Sequence, residues 1–393
     1  MIRISILGST GSIGESTLRV VARHPDRFQV VGLAAHRSHG TLSKQVVRHG
    51  AREAVLGDPD ALPRGEANSG ARWRAGREAI LDLAEGRGAD VVVNALVGSA
   101  GLEPTLRTLR SGKRLALANK ESLVAGGDLV MAAAGKGGGE LVPVDSEHSA
   151  ILQCLEGYSS GRDVQRLVLT ASGGPFRGWE VRDLEEVTPG DALKHPTWEM
   201  GAKITIDSAT LANKALEVIE AHFLYGIPYD RIQVVVHPQS IVHSFVEFVD
   251  GSVLGQVGLP TMELPILYAL AYPERVGDPE LQTFDPIRSS PLTFEEVDRE
   301  AFPLFQLGVD SGRRGGTAPA VFNAANEVAV GAFLAGRIGF MGMPEVVAGV
   351  LDGHREREVG EVEDVMEADR EARDRAEEGV RRLEARRSGT RKE

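Results

Sequence analysis

The sequence has a single cysteine, Cys154, and aromatic residues make up only 5% of its 393 residues. One cysteine excludes an internal disulfide and is compatible with a reducing compartment. Its place in the helix-like segment SAILQCLEG favours a buried thiol over a nucleophile. The chain also lacks an apolar run of about 18 residues and, at its start, the regions of a signal peptide. We therefore expect a cytoplasmic protein with no membrane partner.

The chain also has fewer basic than acidic residues, 44 Lys and Arg against 56 Asp and Glu. The formal net charge is −12 at pH 7, and the sequence pI is about 5.4. Nucleic-acid binding needs a basic face, so this balance argues against a nucleic-acid partner. An anionic small-molecule substrate remains compatible with the composition, because a local site can be positive in an acidic protein.

Strand and helix patterns alternate over the first 145 residues. Short apolar runs such as IRISIL, FQVVGLAA and ADVVVNALVG are separated by segments with helical spacing. This alternation is typical of an α/β fold with a doubly wound parallel sheet. We therefore predict a Rossmann-like N-terminal domain over residues 1–145.

The pattern changes after residue 145. Strands around IQVVVHPQS and HSFVEFVDGS accompany the segment SATLANKALEVIEAHFLYG, which is predicted as one long helix, and the Asp-Gly pair in FVDGSVLG predicts a hairpin. We predict a central α+β catalytic and dimerisation domain over 146–275 and a Pro-rich linker over 276–298. A C-terminal helical domain over 299–393 ends in a charged amphipathic helix whose charges form a solvated face.

The first strand is followed by GSTGSIG, which places Gly8, Gly11 and Gly14 at the first strand-to-helix turn. Glycines there permit a tight turn and the close approach of a phosphate to a helix N-terminus, so the turn predicts a dinucleotide site. The hydroxyl-bearing residues of the turn, which can add donors, are Ser9, Thr10 and Ser12.

The residues after the second strand bear on the choice of cofactor. NAD-binding proteins place an acidic residue there, whereas this chain has His36, Arg37, Ser38 and His39. An arginine and a serine suit a 2′-phosphate, which favours NADP over NAD. The alternative is that Arg37 is a solvated loop residue.

Paired acids follow the predicted strand ELVPVD. Asp145 and Glu147 are two residues apart, so on a strand they point the same way and need a positive partner between them. Glu217 is the candidate third acid, on the same helical side as Asn213 and Lys214. Three carboxylates favour a hard divalent ion such as Mg²⁺ or Mn²⁺ over zinc. The alternative is a surface ion pair at Glu217 and a helix-capping turn at Asp145.

Serines in two other segments predict an anion site. Ser172 lies in the Gly turn TASGGPF, and Ser208 lies near Asn213 and Lys214 in DSATLANK, so together they offer donors and a cation to a phosphate. The alternative for Ser208 is a helix N-cap. The segment HPTWEMG, which begins at His195, suits a mobile lid, although a plain loop histidine is an equal alternative.

Seven motifs, taken in order, resemble the 1-deoxy-D-xylulose 5-phosphate reductoisomerase family. They are GSTGSIG, ALANKESLV, PVDSEHSA, TASGGPF, HPTWEMGAKITIDSATLANKALEVIEAHFLYG, VHPQSIVHS and NAANEVAV. The resemblance covers nearly the whole chain, and the tail from about residue 355 is generic. It implies the conversion of 1-deoxy-D-xylulose 5-phosphate to 2-C-methyl-D-erythritol 4-phosphate with NADPH and Mn²⁺ or Mg²⁺, Co²⁺ being a third option. It also implies a place in non-mevalonate isoprenoid synthesis and a homodimer.

The resemblance also implies roles for individual residues. The implied metal ligands are Asp145, Glu147 and Glu217, the last of which also faces the substrate. The implied phosphate site is Ser172, Ser208, Asn213 and Lys214. The residues implied around the substrate backbone and in catalysis are Lys120, Ser146, Glu147 and His195, with Trp198 and Met200 in the lid. The implied cofactor contacts are Gly8, Ser9, Thr10, Gly11, Ser12, Ile13, Arg37, Ser38, Asn119 and Glu121.

One departure concerns the loop after the second strand. His36 and Arg37 replace the family's more usual small residue and lysine, and because the cation remains, NADP preference is still expected. Two other functions fit parts of the sequence. A sugar-phosphate dehydrogenase without rearrangement fits the Gly-rich turn and Arg37 but not the three acids as well. A non-catalytic NADP-binding protein would be expected to have lost some of those acids.

Overall fold

The computed structural model describes residues 1–62, 70–157, 163–198 and 200–390, with side chains as far as residue 386. The chain divides into two compact units. The first comprises Met1–Ser122, Asp128–Leu152 and Thr261–Gln282, and the second comprises Leu123–Gly127, Gln153–Pro260 and Thr283–Glu393.

The strands are β1 (Ile2–Leu7), β2 (Phe28–Ala35), β3 (Glu53–Leu56), β4 (Arg72–Ala75), β5 (Val91–Asn94), β6 (Arg114–Leu117), β7 (Glu140–Pro143), β8 (Val164–Ala171), β9 (Ile232–Val236), β10 (Val242–Phe248) and β11 (Val253–Val257). The helices are α1 (Ser12–Arg23), α2 (His39–His49), α3 (Arg77–Glu85), α4 (Leu102–Arg110), α5 (Glu121–Gly137), α6 (Ser146–Cys154), α7 (Val181–Leu184), α8 (Pro189–Ala192), α9 (Ala202–Ala209), α10 (Ala212–Tyr225), α11 (Glu263–Ala271), α12 (Pro303–Arg314), α13 (Ala318–Leu334), α14 (Gly342–Asp352) and α15 (Val362–Thr390). None of these helices combines the length and apolarity needed to cross a membrane.

A seven-stranded sheet forms the centre of the first unit, in the order β4-β3-β2-β1-β5-β6-β7. Every neighbouring pair is parallel. The central strand β5, VVVN, is buried along its whole length, as expected for a parallel strand covered on both faces. The predicted doubly wound parallel sheet is confirmed.

Two elements of this unit are missing from the sequence prediction. β4 reads RWRA and is an edge strand, where charged residues protect against unwanted pairing but hide the strand pattern. α2 buries Leu42, Gln45 and Val46, and a glutamine within this short stripe weakens the helical signal.

The returning segment Thr261–Gln282 completes the core of the first unit. Its helix α11 reads ELPILYALA, and Ile266, Leu267 and Leu270 lie in the same buried cluster as Ile4 and Leu33 of the sheet. The ion pair of Arg23 with the fully buried carboxylate of Asp278 fastens the end of the segment to α1.

The second unit has a four-stranded sheet in the order β11-β10-β8-β9. β10 runs antiparallel to β8 and β11, and β8 runs parallel to β9. The predicted hairpin at Asp250 and Gly251 is confirmed, and Gly251 has φ +86° in its turn.

The prediction of one long helix over SATLANKALEVIEAHFLYG is wrong. α9 ends at Ala209 and α10 begins at Ala212, because Leu211 adopts a left-handed conformation with φ +58°. The Thr210 hydroxyl donates back to the carbonyl oxygen of Ile206 at 3.0 Å and closes α9. α10 is buried along most of its length, and the apolar Leu211 continues its pattern toward α9, so the break is concealed in the sequence.

The C-terminal helices pack around α13. The side chains of Ala318 to Ala325 in α13 are all buried, and α15 presents to the interior a stripe that includes Val365, Ala372 and Val380. This stripe agrees with the predicted amphipathic tail helix. The segment 276–298, predicted as a linker, contains no helix and one isolated bridge, between Glu295 and Val236.

Candidate active site

The glycine-rich turn between β1 and α1 brings its own backbone into close contact. Gly8 has φ +88°, and a Cβ atom on it would lie 2.4 Å from the carbonyl oxygen of Ala95. A Cβ atom on Gly14 would lie 2.4 Å from the carbonyl oxygen of Gly8, so a side chain fits neither position. Since α1 begins at Ser12, the N–H groups of its first turn have no partner within the helix and can bind a phosphate.

The serine that begins this turn has another partner. Ser9 is fully buried, its hydroxyl donates to Oε1 of Gln45 at 2.8 Å, and its carbonyl oxygen accepts from Nε2 of Gln45 at 2.9 Å. The hydroxyl of Ser9 therefore holds α2 against the turn, and its cofactor contact stays a prediction without geometric support. The other residues predicted in the turn are half-buried or exposed, namely Thr10, Gly11, Ser12 and Ile13.

Arg37 and Ser38 follow β2 directly. The Arg37 side chain is 74% exposed and its guanidinium pairs with the carboxylate of Asp58, which follows β3. That guanidinium holds the pKa of the Asp58 carboxyl below its usual range. Ser38 occupies the N-cap position of α2. Arg37 and Ser38 lie at the carboxyl end of β2, and dinucleotides bind at the carboxyl ends of the strands in such sheets. Their cofactor contacts stay predictions.

Asn119 organises the loop after β5. Its side-chain amide donates to the carbonyl oxygens of Leu96 at 2.8 Å and Gly98 at 3.0 Å, and to Oε2 of Glu121 at 3.0 Å. Asn119 and Glu121 are both buried. These bonds fix the loop at the carboxyl end of β5, which pairs with β1, the strand that leads into the glycine-rich turn. A direct cofactor contact by either residue stays a prediction.

Asp145 and Glu147 do not lie on a strand, so the expectation that strand alternation aligns them is wrong. β7 ends at Pro143 and α6 begins at Ser146. Oδ1 of Asp145 accepts from the backbone N–H of Glu147 at 3.3 Å, and the carbonyl oxygen of Asp145 accepts from that of Ser149 at 2.8 Å. The helix-capping alternative is therefore correct as local geometry, and it is compatible with a metal site.

A lysine and a serine hold these two acids. Nζ of Lys120 lies 2.5 Å from Oδ2 of Asp145, and only 8% of the lysine side chain is exposed. The hydroxyl of Ser146 donates to Oε2 of Glu147 at 2.6 Å. The predicted substrate residues Lys120 and Ser146 thus contact the predicted metal ligands.

Glu217 is a buried acid with two partners on its own helix. It is 2% exposed, its Oε1 accepts from Nδ2 of Asn213 at 2.5 Å, and its Oε2 accepts from Lys214. The alternative of a surface ion pair is therefore wrong. Asp145 and Glu147 in the first unit, and Glu217 in the second, each offer carboxylate oxygens, the ligand type that a hard divalent ion such as Mg²⁺ prefers. Their shared role as metal ligands stays a prediction.

Two serines converge on one imidazole. Nε2 of His195 lies 3.0 Å from the hydroxyl of Ser172 and 3.1 Å from that of Ser208. Ser208 lies in the last turn of α9, whose N-cap is Gly201, so the N-cap alternative for Ser208 is wrong. Two hydroxyls and a ring nitrogen around one point suit the oxygens of a phosphate.

The other ring nitrogen of His195 holds the start of the predicted lid. Nδ1 accepts from the backbone N–H groups of Thr197 at 3.1 Å and Trp198 at 2.9 Å. A nitrogen that accepts carries no proton, so the ring is neutral with its proton on Nε2. Burial lowers the pKa of His195, which favours the same neutral form. Trp198 and Met200 are half-buried in this segment.

Two glycines follow Ser172 because of a close backbone contact that the sequence prediction does not include. Gly173 and Gly174 have φ +85° and +66°, and a Cβ atom on Gly174 would lie 2.8 Å from the carbonyl oxygen of Ser208. The backbone after β8 therefore packs directly on the end of α9, which places Ser172 beside Ser208. The pair of glycines directly after a serine at a strand end was the available signal.

Comparison with known proteins agrees with this geometry. Models described as 1-deoxy-D-xylulose 5-phosphate reductoisomerase and its C-terminal domains match residues 4–127, 141–225 and 257–375. A protein of that name from Nocardia farcinica is 53% identical over 97% of this chain and 95% of its own length.

Two solved structures extend the comparison. The Zymomonas mobilis enzyme in complex with NADPH is 43% identical, with a TM-score of 0.88 over 96% of this chain and 99% of that one. A DOX-P reductoisomerase in complex with NADPH, fosmidomycin and magnesium is 37% identical, with a TM-score of 0.93 over 97% of this chain and 98% of that one. Both alternative functions considered for the sequence are therefore set aside.

Proposed function

The chain belongs to the 1-deoxy-D-xylulose 5-phosphate reductoisomerase family, and from this premise we propose which of its residues carry out the reaction. It is an NADP-dependent oxidoreductase that isomerises and reduces 1-deoxy-D-xylulose 5-phosphate to 2-C-methyl-D-erythritol 4-phosphate, with NADPH and a divalent metal ion. The reaction belongs to isoprenoid precursor synthesis by the non-mevalonate pathway.

Asp145, Glu147 and Glu217 are the proposed metal ligands. The observation that supports this proposal is how each carboxylate is held within its own unit: Lys120 contacts Asp145, Ser146 donates to Glu147, and Asn213 donates to the buried Glu217. Hard oxygen ligands suit Mg²⁺ or Mn²⁺, and Co²⁺ is a further option. These residues would hold a divalent ion that, when bound, would supply Lewis-acid stabilisation of negative charge on the ketose oxygen.

Ser172, Ser208, Asn213 and Lys214 are the proposed phosphate ligands, with His195 beside them. The hydrogen bonds of both serines to Nε2 of His195 support a common target, and Lys214 contributes the positive charge. The phosphate does not react, so its binding energy is available to close the lid around Trp198 and Met200 over the substrate. A closed lid excludes water and strengthens the electrostatic interactions inside the site.

Lys120, Ser146 and Glu147 are proposed to contact the substrate backbone. Nζ of Lys120 lies beside Oδ2 of Asp145, from where it can donate to a substrate oxygen. Glu147, whose carboxylate accepts from the hydroxyl of Ser146, can accept or return a proton. The residues proposed for the cofactor are Gly8, Ser9, Thr10, Gly11, Ser12, Ile13, Arg37, Ser38, Asn119 and Glu121, with Arg37 directed at the 2′-phosphate.

A homodimer is also proposed, through the open edge of the second sheet. β11 is an edge strand whose Val253, Leu254 and Val257 side chains are 54%, 40% and 38% exposed. An apolar edge strand offers unpaired backbone groups and apolar surface, and pairing with a second copy satisfies both. We also retain as proposals a cytoplasmic location, supported by the single cysteine, and functional domains at 1–145, 146–275 and 299–393 joined by the linker 276–298.

The test is NADPH oxidation by the full chain with 1-deoxy-D-xylulose 5-phosphate after chelator treatment, with and without added Mg²⁺ or Mn²⁺. The expected result is metal-dependent oxidation that yields the branched 2-C-methyl-D-erythritol 4-phosphate, identified by mass spectrometry and NMR. Equal oxidation in the chelated protein would contradict the metal role. An unbranched reduction product would instead indicate a dehydrogenase without rearrangement.

A further inference from the structure

The motif NAANEVAV has no role in the site described so far. It lies in α13, where Asn323 and Asn326 are 1% and 0% exposed. A buried side-chain amide costs free energy unless its polar atoms find partners, so an apolar residue would serve packing better at both positions. The two asparagines therefore call for an explanation other than core packing.

Asn326 reaches the helix that carries Ser208. Its Nδ2 donates to Oδ1 of Asp207 at 2.7 Å, across 119 residues of sequence. Oδ2 of Asp207 lies 2.7 Å from Nζ of Lys203, one turn earlier on α9, and Asp207 is 1% exposed. Because a carboxylate only accepts hydrogen bonds, the amide nitrogen of Asn326 must face it. Oδ1 of Asn326 has no hydrogen-bond partner among the described residues, so the amide is oriented by Asp207 alone.

Asp207 directly precedes Ser208, and α9 has little rigidity of its own. The helix has eight residues, follows the lid segment and ends at Ala209, two residues before the left-handed Leu211. Isolated helices of this length are not stable in water, so tertiary contacts must set its rotation. Successive helical side chains are about 100° apart, so a fixed direction for Asp207 also fixes the direction of Ser208.

The helix α13, which carries Asn326, is held in place by other contacts. Glu327, the residue after Asn326, accepts from Arg373 of α15 at 2.6 Å and from Asn323 of its own helix at 3.1 Å. Arg373 also pairs with Asp369 at 2.6 Å. α13 is thus a fixed support, and α9 is the element that the contact adjusts.

We propose that Asp207 and Asn326 are positioning residues for substrate binding: their hydrogen bond sets the rotation of α9 so that Ser208 meets His195 and Ser172 at the phosphate. The proposal rests on the proposed function of those serines. Neither residue touches the substrate; both act through Ser208. A purely structural pair would change the stability of the fold and leave substrate affinity as it is.

The decisive variant is Asn326→Asp, which sets two carboxylates against each other at the contact. We expect the KM for 1-deoxy-D-xylulose 5-phosphate and the inhibition constant of inorganic phosphate to rise about tenfold or more, the loss expected for a misdirected ligand of a charged group. The KM for NADPH should stay within about twofold, because the cofactor site lies elsewhere. The matched control is Asn323→Leu, which alters an equally buried asparagine of the same motif whose hydrogen bonding, among the described residues, stays within α13.

The exchanged pair Asp207→Asn with Asn326→Asp tests the hydrogen bond itself. The introduced amide at position 207 would offer its oxygen to Lys203 and its nitrogen to the introduced carboxylate at position 326, so both contacts reform in reverse. We expect the KM for the substrate to return to within about threefold of the wild-type value. The free energy of unfolding of each variant is measured separately by denaturant titration. If Asn326→Asp does not fold, Asn326→Leu takes its place in the comparison, with the same expected rise.

Three results would overturn the proposal. They are an unchanged substrate KM in a folded Asn326 variant, an equal rise in the Asn323→Leu control, and no recovery in the exchanged pair. Failure of the proposed function would look different, because the wild-type chain itself would then not oxidise NADPH with 1-deoxy-D-xylulose 5-phosphate. In that event the affinity of the same variants for inorganic phosphate, measured by calorimetry, decides the positioning role.

Discussion

His195 makes two separate sets of contacts, and a different substitution removes each of them. Its Nε2 faces Ser172 and Ser208, and its Nδ1 holds the backbone N–H groups of Thr197 and Trp198. An asparagine amide lies close to the position of Nδ1, whereas a glutamine amide reaches the position of Nε2. His195→Asn therefore keeps the lid contact, and His195→Gln keeps the contact with the serines.

The size of each effect follows from the bonds that are lost. His195→Asn removes a donor from the phosphate subsite, and a hydrogen bond to a charged group contributes about 1.5–3 kcal/mol. The KM for 1-deoxy-D-xylulose 5-phosphate should therefore rise roughly 10- to 150-fold. His195→Gln leaves two backbone N–H groups without their acceptor, at about 1–3 kcal/mol. That loss opens the lid segment and should act on kcat more than on KM.

Steady-state kinetics on both variants, with inorganic phosphate as a competing ligand, separate the two tasks. Phosphate inhibition should weaken in His195→Asn and stay near the wild-type value in His195→Gln. Limited proteolysis near Trp198 should accelerate in His195→Gln only. Equal changes of KM and kcat in both variants would refute the division of tasks between the ring nitrogens.

Four further predictions concern other parts of the chain. Glu217→Gln should lower activity at least ~10²-fold, as expected for the loss of a key charge in the site. Near-full turnover of the variant with metal bound would show that Glu217 does not belong to the site. Arg37→Ala should raise the KM for NADPH far more than that for NADH, whereas an equal loss would reject a 2′-phosphate contact. Gly174→Ala should destabilise the fold by at least ~1 kcal/mol in denaturant titrations because its Cβ meets Ser208, while Gly178→Ala, with φ +78° and open space around its Cβ, should cost less. Burial lowers the pKa of His354, whose Nε2 lies 2.8 Å from the hydroxyl of Thr317. The contribution of the neutral His354 ring to the stability of the fold is complete above the unfolded pKa of about 6.5. It is lost as the pH falls from there to the lower folded pKa. His354→Gln should therefore flatten the unfolding free energy against pH in that window, and an unchanged slope would contradict it.

Local chemistry explains what could be predicted from the sequence. The glycine-rich turn works through the backbone conformation of Gly8 and the close approach at Gly14, and both demands appear directly as glycines. The parallel sheet follows from the alternation of apolar runs. The three acids were grouped by the chemistry of a hard metal ion and by the family motif, and their common metal site stays a prediction.

Competition between local signals explains what was missed. The apolar pattern predicts that the strand continues through Val144 to Asp145. Instead, the backbone N–H of Glu147 donates to the side chain of Asp145, and a helix begins there. The break at Leu211 is concealed because leucine suits the apolar period on either side of it. The contact between Asp207 and Asn326 joins residues 119 positions apart, and neither local pattern nor spacing contains that information.

Metal binding itself is measured by electron paramagnetic resonance of free Mn²⁺ titrated with the chelated wild-type protein and with Glu217→Gln. We expect one saturable site in the wild type and an affinity at least ~10-fold weaker in the variant, since a buried carboxylate ligand is lost. Binding of equal strength in both proteins would contradict the assignment of Asp145, Glu147 and Glu217 as the metal ligands.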